Sequence, residues 1–182
     1  MALITTLDQF VGSIYLPNRQ VTTTEGKVLN NDINKYEPEF LIYFLGYEFN
    51  KLFLDGIINN TAIYLDIVNG KEYTDGNNRL QYWGGLKLNH NPIANYTYYH
   101  NRKNARSSTA SIGETIPAIE NGSVTTNFYK MLTAWNEMVD MNRELHDFLF
   151  SNKSIYPTYL GLNCIDVYPN SATNVDRNFL NL

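Results

Sequence analysis

With a single cysteine, Cys164, among 182 residues, the chain has no intramolecular disulfide and no multi-cysteine zinc site, so packing has to supply its stability. Apolar runs are short as well. None approaches the roughly 20 residues of a membrane-spanning helix, and Met1-Ala2-Leu3-Ile4-Thr5-Thr6-Leu7-Asp8 carries no basic leader. A protein made in the cytosol, with neither signal peptide nor anchor, is expected. No repeat, heptad run or linker divides the sequence. One domain over residues 1–162 with an extended tail over 163–182 is therefore expected.

Acid is missing from one long stretch. Between Gly76 and Gly113 there is no Asp or Glu, while Arg79, Lys87, Arg102, Lys103 and Arg106 stand there, in a chain whose net charge is −4. Such a segment suits a phosphate backbone or an acidic neighbour, with Lys87, Arg102, Lys103 and Arg106 as the candidate contacts.

Enzyme signatures are missing too. Gly84-Gly85 lacks the lysine and the strand-loop-helix setting of a phosphate loop, and neither GxGxxG nor GxSxG occurs. Glu137, Asp140 and Glu144 share a helical face near His146. A di-iron helix needs Glu-x-x-His, however, and Glu144-Leu145-His146 turns the two side chains about 200° apart, so a solvated acidic face is the simpler reading. Cys164 with His90, His100 or His146 has no local pattern of a thiol-imidazole pair, and Glu37 and Glu39 read as first-turn helix residues. Neither a cofactor nor a catalytic set is expected.

What the chain does have is aromatic side chains, 14 Tyr, 9 Phe and 2 Trp, together with abundant Asn. Tyr and Trp bury a ring while keeping a polar handle, which suits surfaces where proteins meet. The periodicity predicts mainly helix. Leu7 to Leu16 is a short helix ended before Pro17, and Thr22 to Gly26 reads as loop. A stronger helix opens near Asn34 with Pro38 in its first turn, breaks at Gly46 and stops at Asp55-Gly56. Lys71 to Gly84 is a hairpin around Asp75-Gly76-Asn77-Asn78. Asn91-Pro92 caps a helix running past Lys103, and residues 107–122 form a long loop. From Ser123 to about Phe150, Phe128, Leu132, Trp135, Val139, Leu145 and Leu149 keep a helical period over one long spine. The expected class is a mainly α helical bundle with one long helix in its C-terminal half, a small β-hairpin and extended arms.

The order of these features resembles a known family. Glu39-Phe40-Leu41, Leu45-Gly46-Tyr47, Tyr82-Trp83-Gly84-Gly85, Pro92-Ile93-Ala94-Asn95-Tyr96 and Tyr98-Tyr99 come first. Ala134-Trp135-Asn136-Glu137-Met138, Phe148-Leu149 and Tyr156-Pro157 follow. Together, over about residues 35 to 160, they resemble the head-tail connector (neck or adaptor ring) proteins of tailed bacteriophages, of the crAss-like phage type. Residues 17–34 and 163–182 lie outside the resemblance.

The resemblance implies a non-enzymatic virion protein that forms a homo-oligomeric ring, a dodecamer, under the capsid portal protein. It implies further partners among neck and tail proteins, transient contact with genomic DNA and no membrane. A closed ring needs two different contact faces on each subunit. The candidates are the hairpin, with Tyr73, Tyr82 and Trp83 as anchors, and the long loop, with Ile112 and Ile116. Phe179, Leu180 and Leu182 form an apolar terminal peptide suited to docking in a portal or neighbour groove. The alternative is a small phage nucleic-acid-binding regulator that uses the basic segment 79–106, against which stands a pI of about 5.3.

Overall fold

The computed structural model describes residues 2–88, 91–105, 108–110, 113–115 and 125–161, the side chains of 108–110, 113–115 and 125–128 excepted. Its elements in chain order begin with two 3₁₀ turns, Leu7–Gln9 and Gly12–Ile14. Helices α1 (Thr24–Leu45), α2 (Tyr47–Ile58) and α3 (Ala62–Asn69) follow, then strands β1 (Lys71–Thr74) and β2 (Leu80–Trp83). Helix α4 (Pro92–Ala105), strands β3 (Ser108–Ala110) and β4 (Gly113–Thr115) and helix α5 (Thr125–Ser151) complete the chain. The protein is mainly α with a small antiparallel hairpin, as the periodicity predicts.

The 27 residues of α5 make a rod of about 40 Å. Met131, Ala134, Met138, Asn142, Leu145 and Leu149 line its buried side at steps of three and four residues, with Leu132, Val139 and Phe148 beside them and Trp135 half-buried. Helix α4 lies along it, and α1 covers α4 from the other side. Ile93 to Tyr98 are consecutively buried, which is the signature of a helix enclosed all round. Its entry is as predicted: Asn91 Oδ1 accepts from the Ala94 amide at 2.9 Å, and Pro92 takes the first helical position, where no amide is needed.

Helix α1 starts ten residues before the expected Asn34. Thr23 caps it by accepting from the Gly26 amide at 3.0 Å, so part of the expected loop at Thr22 to Gly26 is the cap and first turn of a helix. Pro38 consequently sits inside the helix. An interior proline costs about 3 kcal/mol, but Leu29, Ile33, Tyr36, Phe40 and Leu41 are buried on both sides of it, and their packing holds the helix through the lost hydrogen bond.

At Gly46 the expected break occurs. Its φ of 77° and ψ of 155° end α1 and turn the chain into α2. The expected stop at Asp55-Gly56 does not occur, and α2 continues to Ile58. Gly56 makes room for a neighbouring helix instead. A Cβ there would stand 2.0 Å from Tyr64 Cδ2, so the bare backbone lets α3 cross closely. Gly70 and Gly85, at φ 89° and 90°, face each other at a second close approach, where the chain leaving β2 hydrogen-bonds back to the end of α3 through Leu86 N to Ile67 O (3.2 Å) and Lys87 N to Val68 O (2.9 Å).

Two more expectations are corrected. The single helix from Leu7 to Leu16 is two 3₁₀ turns, because Val11 between them is extended and Phe10 and Ile14 reach into a second apolar cluster with Leu29, Ile33, Ala94 and Tyr98. The loop over 107–122 holds a short hairpin, with Ser108 opposite Thr115 and Ala110 opposite Gly113. These residues are small or β-branched, and the ladder satisfies backbone groups that no helix takes up.

Candidate assembly surfaces

The larger hairpin has two unlike faces. Register sets them: Lys71 opposes Trp83, Glu72 opposes Tyr82, Tyr73 opposes Gln81 and Thr74 opposes Leu80. Alternation therefore puts Tyr73 and Trp83 on one side and Leu80 and Tyr82 on the other. Trp83 is 2% exposed, stacks on Phe148 at 6.3 Å and donates Nε1–H to the Ile67 carbonyl at 2.9 Å. It belongs to the core, which corrects its expected role as an interface anchor: its ring caps the spine helix. Tyr73 is half-buried, its ring edge-on to Phe148 at 5.3 Å. Burial, and next the Asp147 carboxylate, push its hydroxyl up from the usual tyrosine range. Leu80 and Tyr82 remain 72% and 65% exposed, so the outer face of the hairpin, which also carries Glu72 and Thr74, holds two large apolar side chains out to solvent.

The turn that carries this face is rigidly tied. Asp75 accepts from the amides of Asn77 and Arg79, each at 2.9 Å, and from Arg79 Nε at 3.0 Å. The Arg79 amide foremost, with the Asn77 amide and the Arg79 guanidinium, holds the Asp75 carboxyl below its usual range. Arg79 thus has an acid partner from just outside the acid-free stretch.

The other basic residues of that stretch do not form one patch. Lys87 is exposed just before α4, whereas Arg102 and Lys103 lie in its last turn, about 15 Å of helix away. Near Arg102 lies a surface the sequence did not reveal. A concave cleft of about 550 Å³ opens between the loop before α1, the first turns of α1, the end of α4 and the start of α5. Tyr15, Leu16 and Val28 give it apolar walls, and Arg19, Arg102 and Lys130 bring three cations to it against one acid, Glu25. A second concavity of about 880 Å³ shares Tyr15, Leu16, Asn18 and Arg19 with it.

Within the cleft the cations differ. Arg19 donates to the Phe10 carbonyl and lies 5.5 Å from the Tyr15 ring centroid. Arg102 stands over Tyr98 at 5.7 Å, its Nε buried without a hydrogen-bond partner. Lys130 is exposed and, like Arg102, makes no ion pair among the described residues. Asn101 beside them donates to Asp32 at 2.7 Å. Only the fold brings these groups together, since Arg19, Arg102 and Lys130 lie in three distant segments.

The acids weighed as ligands serve other ends. Glu137 accepts from Ser13 Oγ at 2.7 Å and Asn95 Nδ2 at 3.2 Å, and Asp140 pairs with Arg143 at 2.7 Å. His146 Nδ1 lies 3.1 Å from the Tyr159 hydroxyl, and burial lowers the imidazole's pKa below its ordinary 6.5. Among the described residues no group of three or more His, Cys, Asp or Glu is placed to hold a metal ion. His100 stacks on Tyr36 at 4.6 Å, remote in the chain from His146.

Glu37 is the acid whose role sequence reasoning misplaced. Only 2% exposed, it accepts from the amides of Leu3 (2.5 Å), Ile4 (3.2 Å) and Thr5 (2.6 Å), and so ties the N-terminal segment across α1. Ile112, Ile116, Arg106, His90, Cys164, Phe179, Leu180 and Leu182 lie outside the described residues. Among the described residues no helix is long and apolar enough to cross a membrane. Comparison with protein-family models, with curated proteins and with solved structures finds no match for this chain.

Proposed function

We propose that this chain is a non-enzymatic structural virion protein, a subunit of the head-to-tail connector ring that binds the capsid portal and extends the DNA channel toward the tail. The observation that carries the reading is the outer face of the β1–β2 hairpin. Its inner face is fixed to the spine helix through Tyr73 and Trp83, while Leu80 and Tyr82 are held out to solvent. A hairpin that holds two neighbouring large apolar side chains out on a fixed mount suits an assembling subunit. The resemblance over residues 35 to 160 supports the same reading. Further copies of the chain, the portal and other neck or tail proteins are the partners, with transient contact to genomic DNA. The protein is then present in the host cytoplasm during assembly and in the virion neck afterwards.

A nucleic-acid-binding regulator has less support. The acid-free segment is not gathered into one strip: Arg79 is paired with Asp75, and Lys87 and Arg102 lie at opposite ends of α4. Mixing the purified chain with the portal protein of the same virus tests the connector reading. A ring seated on the portal, seen by electron microscopy, is the expected outcome, and a compact monomer or dimer that ignores the portal overturns it. A gel mobility shift on duplex DNA at physiological ionic strength is expected to be absent. A strong, salt-sensitive shift would favour the regulator.

A further inference from the structure

The two ends of α5 differ in charge. At its C-terminal half Asp140, Glu144 and Asp147 follow one helical face, beside the hairpin with Glu72, Leu80 and Tyr82 on its outer side. The cations nearby are already engaged: Arg143 with Asp140, Lys71 with Asp66, and Lys153 lies over the Phe150 ring at 5.5 Å. Glu72, Glu144 and Asp147 are exposed and make no ion pair among the described residues, so this end offers unpaired acids beside the exposed Leu80 and Tyr82. The negative field there also reaches Tyr73, whose hydroxyl is pushed up by burial and then by Asp147.

At the other end lies the cleft, concave and apolar at Tyr15, Leu16 and Val28, with Arg102 and Lys130 as cations that no acid of the described residues pairs. Lys130 stands 14 to 17 residues before Glu144 and Asp147 on the same helix, roughly 20–25 Å away. Within one copy the two surfaces stay apart, because Lys130 and the two acids are fixed at that separation on one continuous helix. Two copies can. We infer that these are the two halves of one heterologous interface, in which the acidic hairpin end of one copy seats on the cationic cleft of the next.

Head-to-tail contact of this kind is what a closed ring requires, and complementary charge fixes its polarity: acid end on acid end and cleft on cleft both repel. The inference rests on the connector reading for its biological setting but not for its chemistry. The contact also gives Arg102 and Lys130 their acid partners, since the carboxylates of Glu144 and Asp147 in a neighbour supply them.

A charge-swap experiment tests it. Sedimentation velocity on the full chain, in a concentration series reaching the millimolar range at low salt, is expected to show self-association that high salt weakens. The cleft variant R102E/K130E and the acid-end variant E144K/D147K should each sediment as monomers. Mixed in equal amounts they should associate again, because the reversed cleft of one then meets the reversed acid end of the other. Near-wild-type melting temperatures show that the variants fold. If R102E/K130E does not fold, K130E alone, at an exposed position, replaces it and should weaken association about tenfold or more. A wild type that stays monomeric throughout overturns the inference, as does association that survives either reversal or a mixture that stays monomeric. Portal recruitment is scored separately: association without portal binding sinks the connector reading alone, and portal-bound rings insensitive to the reversals sink the interface alone.

Discussion

Glu37 shows how one side chain can hold a segment that has little structure of its own. Its carboxylate takes three successive backbone amides from Leu3 to Thr5, of which those of Ile4 and Thr5 would otherwise be buried without acceptors. Hydrogen bonds to a charged acceptor are worth about 1.5–3 kcal/mol each, and orphaned buried amides cost about as much. Glu37→Ala is expected to lower the unfolding free energy by about 3 kcal/mol or more in chemical denaturation, with Lys51→Ala, at an exposed site in the middle of α2, changing it by less than about 0.5 kcal/mol. Equal effects from the two would remove the tether. Sequence could not place Glu37 in this role, because its partners lie 32 to 34 residues away and leave no local pattern. His146 argues a pH dependence at the same scale. Burial depresses its folded pKa below 6.5, so between that folded value and 6.5 the unfolded chain binds the proton and the folded one does not. The stability this contributes is present above about pH 6.5 and is lost as pH falls through the folded pKa. His146→Gln is expected to flatten the decline in melting temperature between about pH 7.5 and about pH 5.5, a window that brackets the ordinary imidazole value. An unchanged slope would assign the decline to other groups.

Among the elements, those with a strong local signal were legible and those set by distant contacts were not. The spine helix, the Asn91-Pro92 start of α4, the break at Gly46 and the Asp75 turn each carry their cause within a few residues. The early start of α1 depends on Thr23 as a cap and on packing that overrides Pro38. Gly56 looked like a stop because a glycine near a helix end usually is one, whereas here it makes room for the Tyr64 ring. Gly56→Ala puts a Cβ 2.0 Å from Tyr64 Cδ2 and is expected to cost about 1–3 kcal/mol, even though alanine is the better helix former. Adding Tyr64→Ala should remove most of that penalty, so a double-mutant cycle on unfolding free energies checks the contact. Additive losses in the cycle would mean that the two residues do not meet. The hairpin was legible as a hairpin, but which of its aromatics faced the core was not. Alternation alone leaves two choices, and contacts distant in the chain, Phe148 on α5 and the Ile67 carbonyl on α3, decide that Trp83 turns inward.

For the whole molecule, the decisive property is that its two unlike surfaces stand by opposite ends of one continuous helix, α5. The cleft was not visible in the sequence, because it gathers Arg19, Arg102 and Lys130 from three segments; at the other end the hairpin with Tyr82 was expected as a contact face, but the acids beside it read only as solvated charge. An assembly built from such a subunit has a direction, so a copy lacking one end can still offer the other. L80S/Y82S should blunt the hairpin end and leave the cleft intact, while R102E/K130E blocks the cleft and leaves the hairpin intact. Each variant alone then has nothing to pair with. Mixed, they have one sound contact between them and no way to extend it, since the remaining ends are both defective. Native mass spectrometry of the mixture is expected to show a heterodimer of about 42 kDa, twice the 21.0 kDa chain, and no larger species. A symmetric interface, in which the same patch meets itself, predicts otherwise: the variants altered in that patch would fail to rescue each other, and the unaltered ones would dimerise alone.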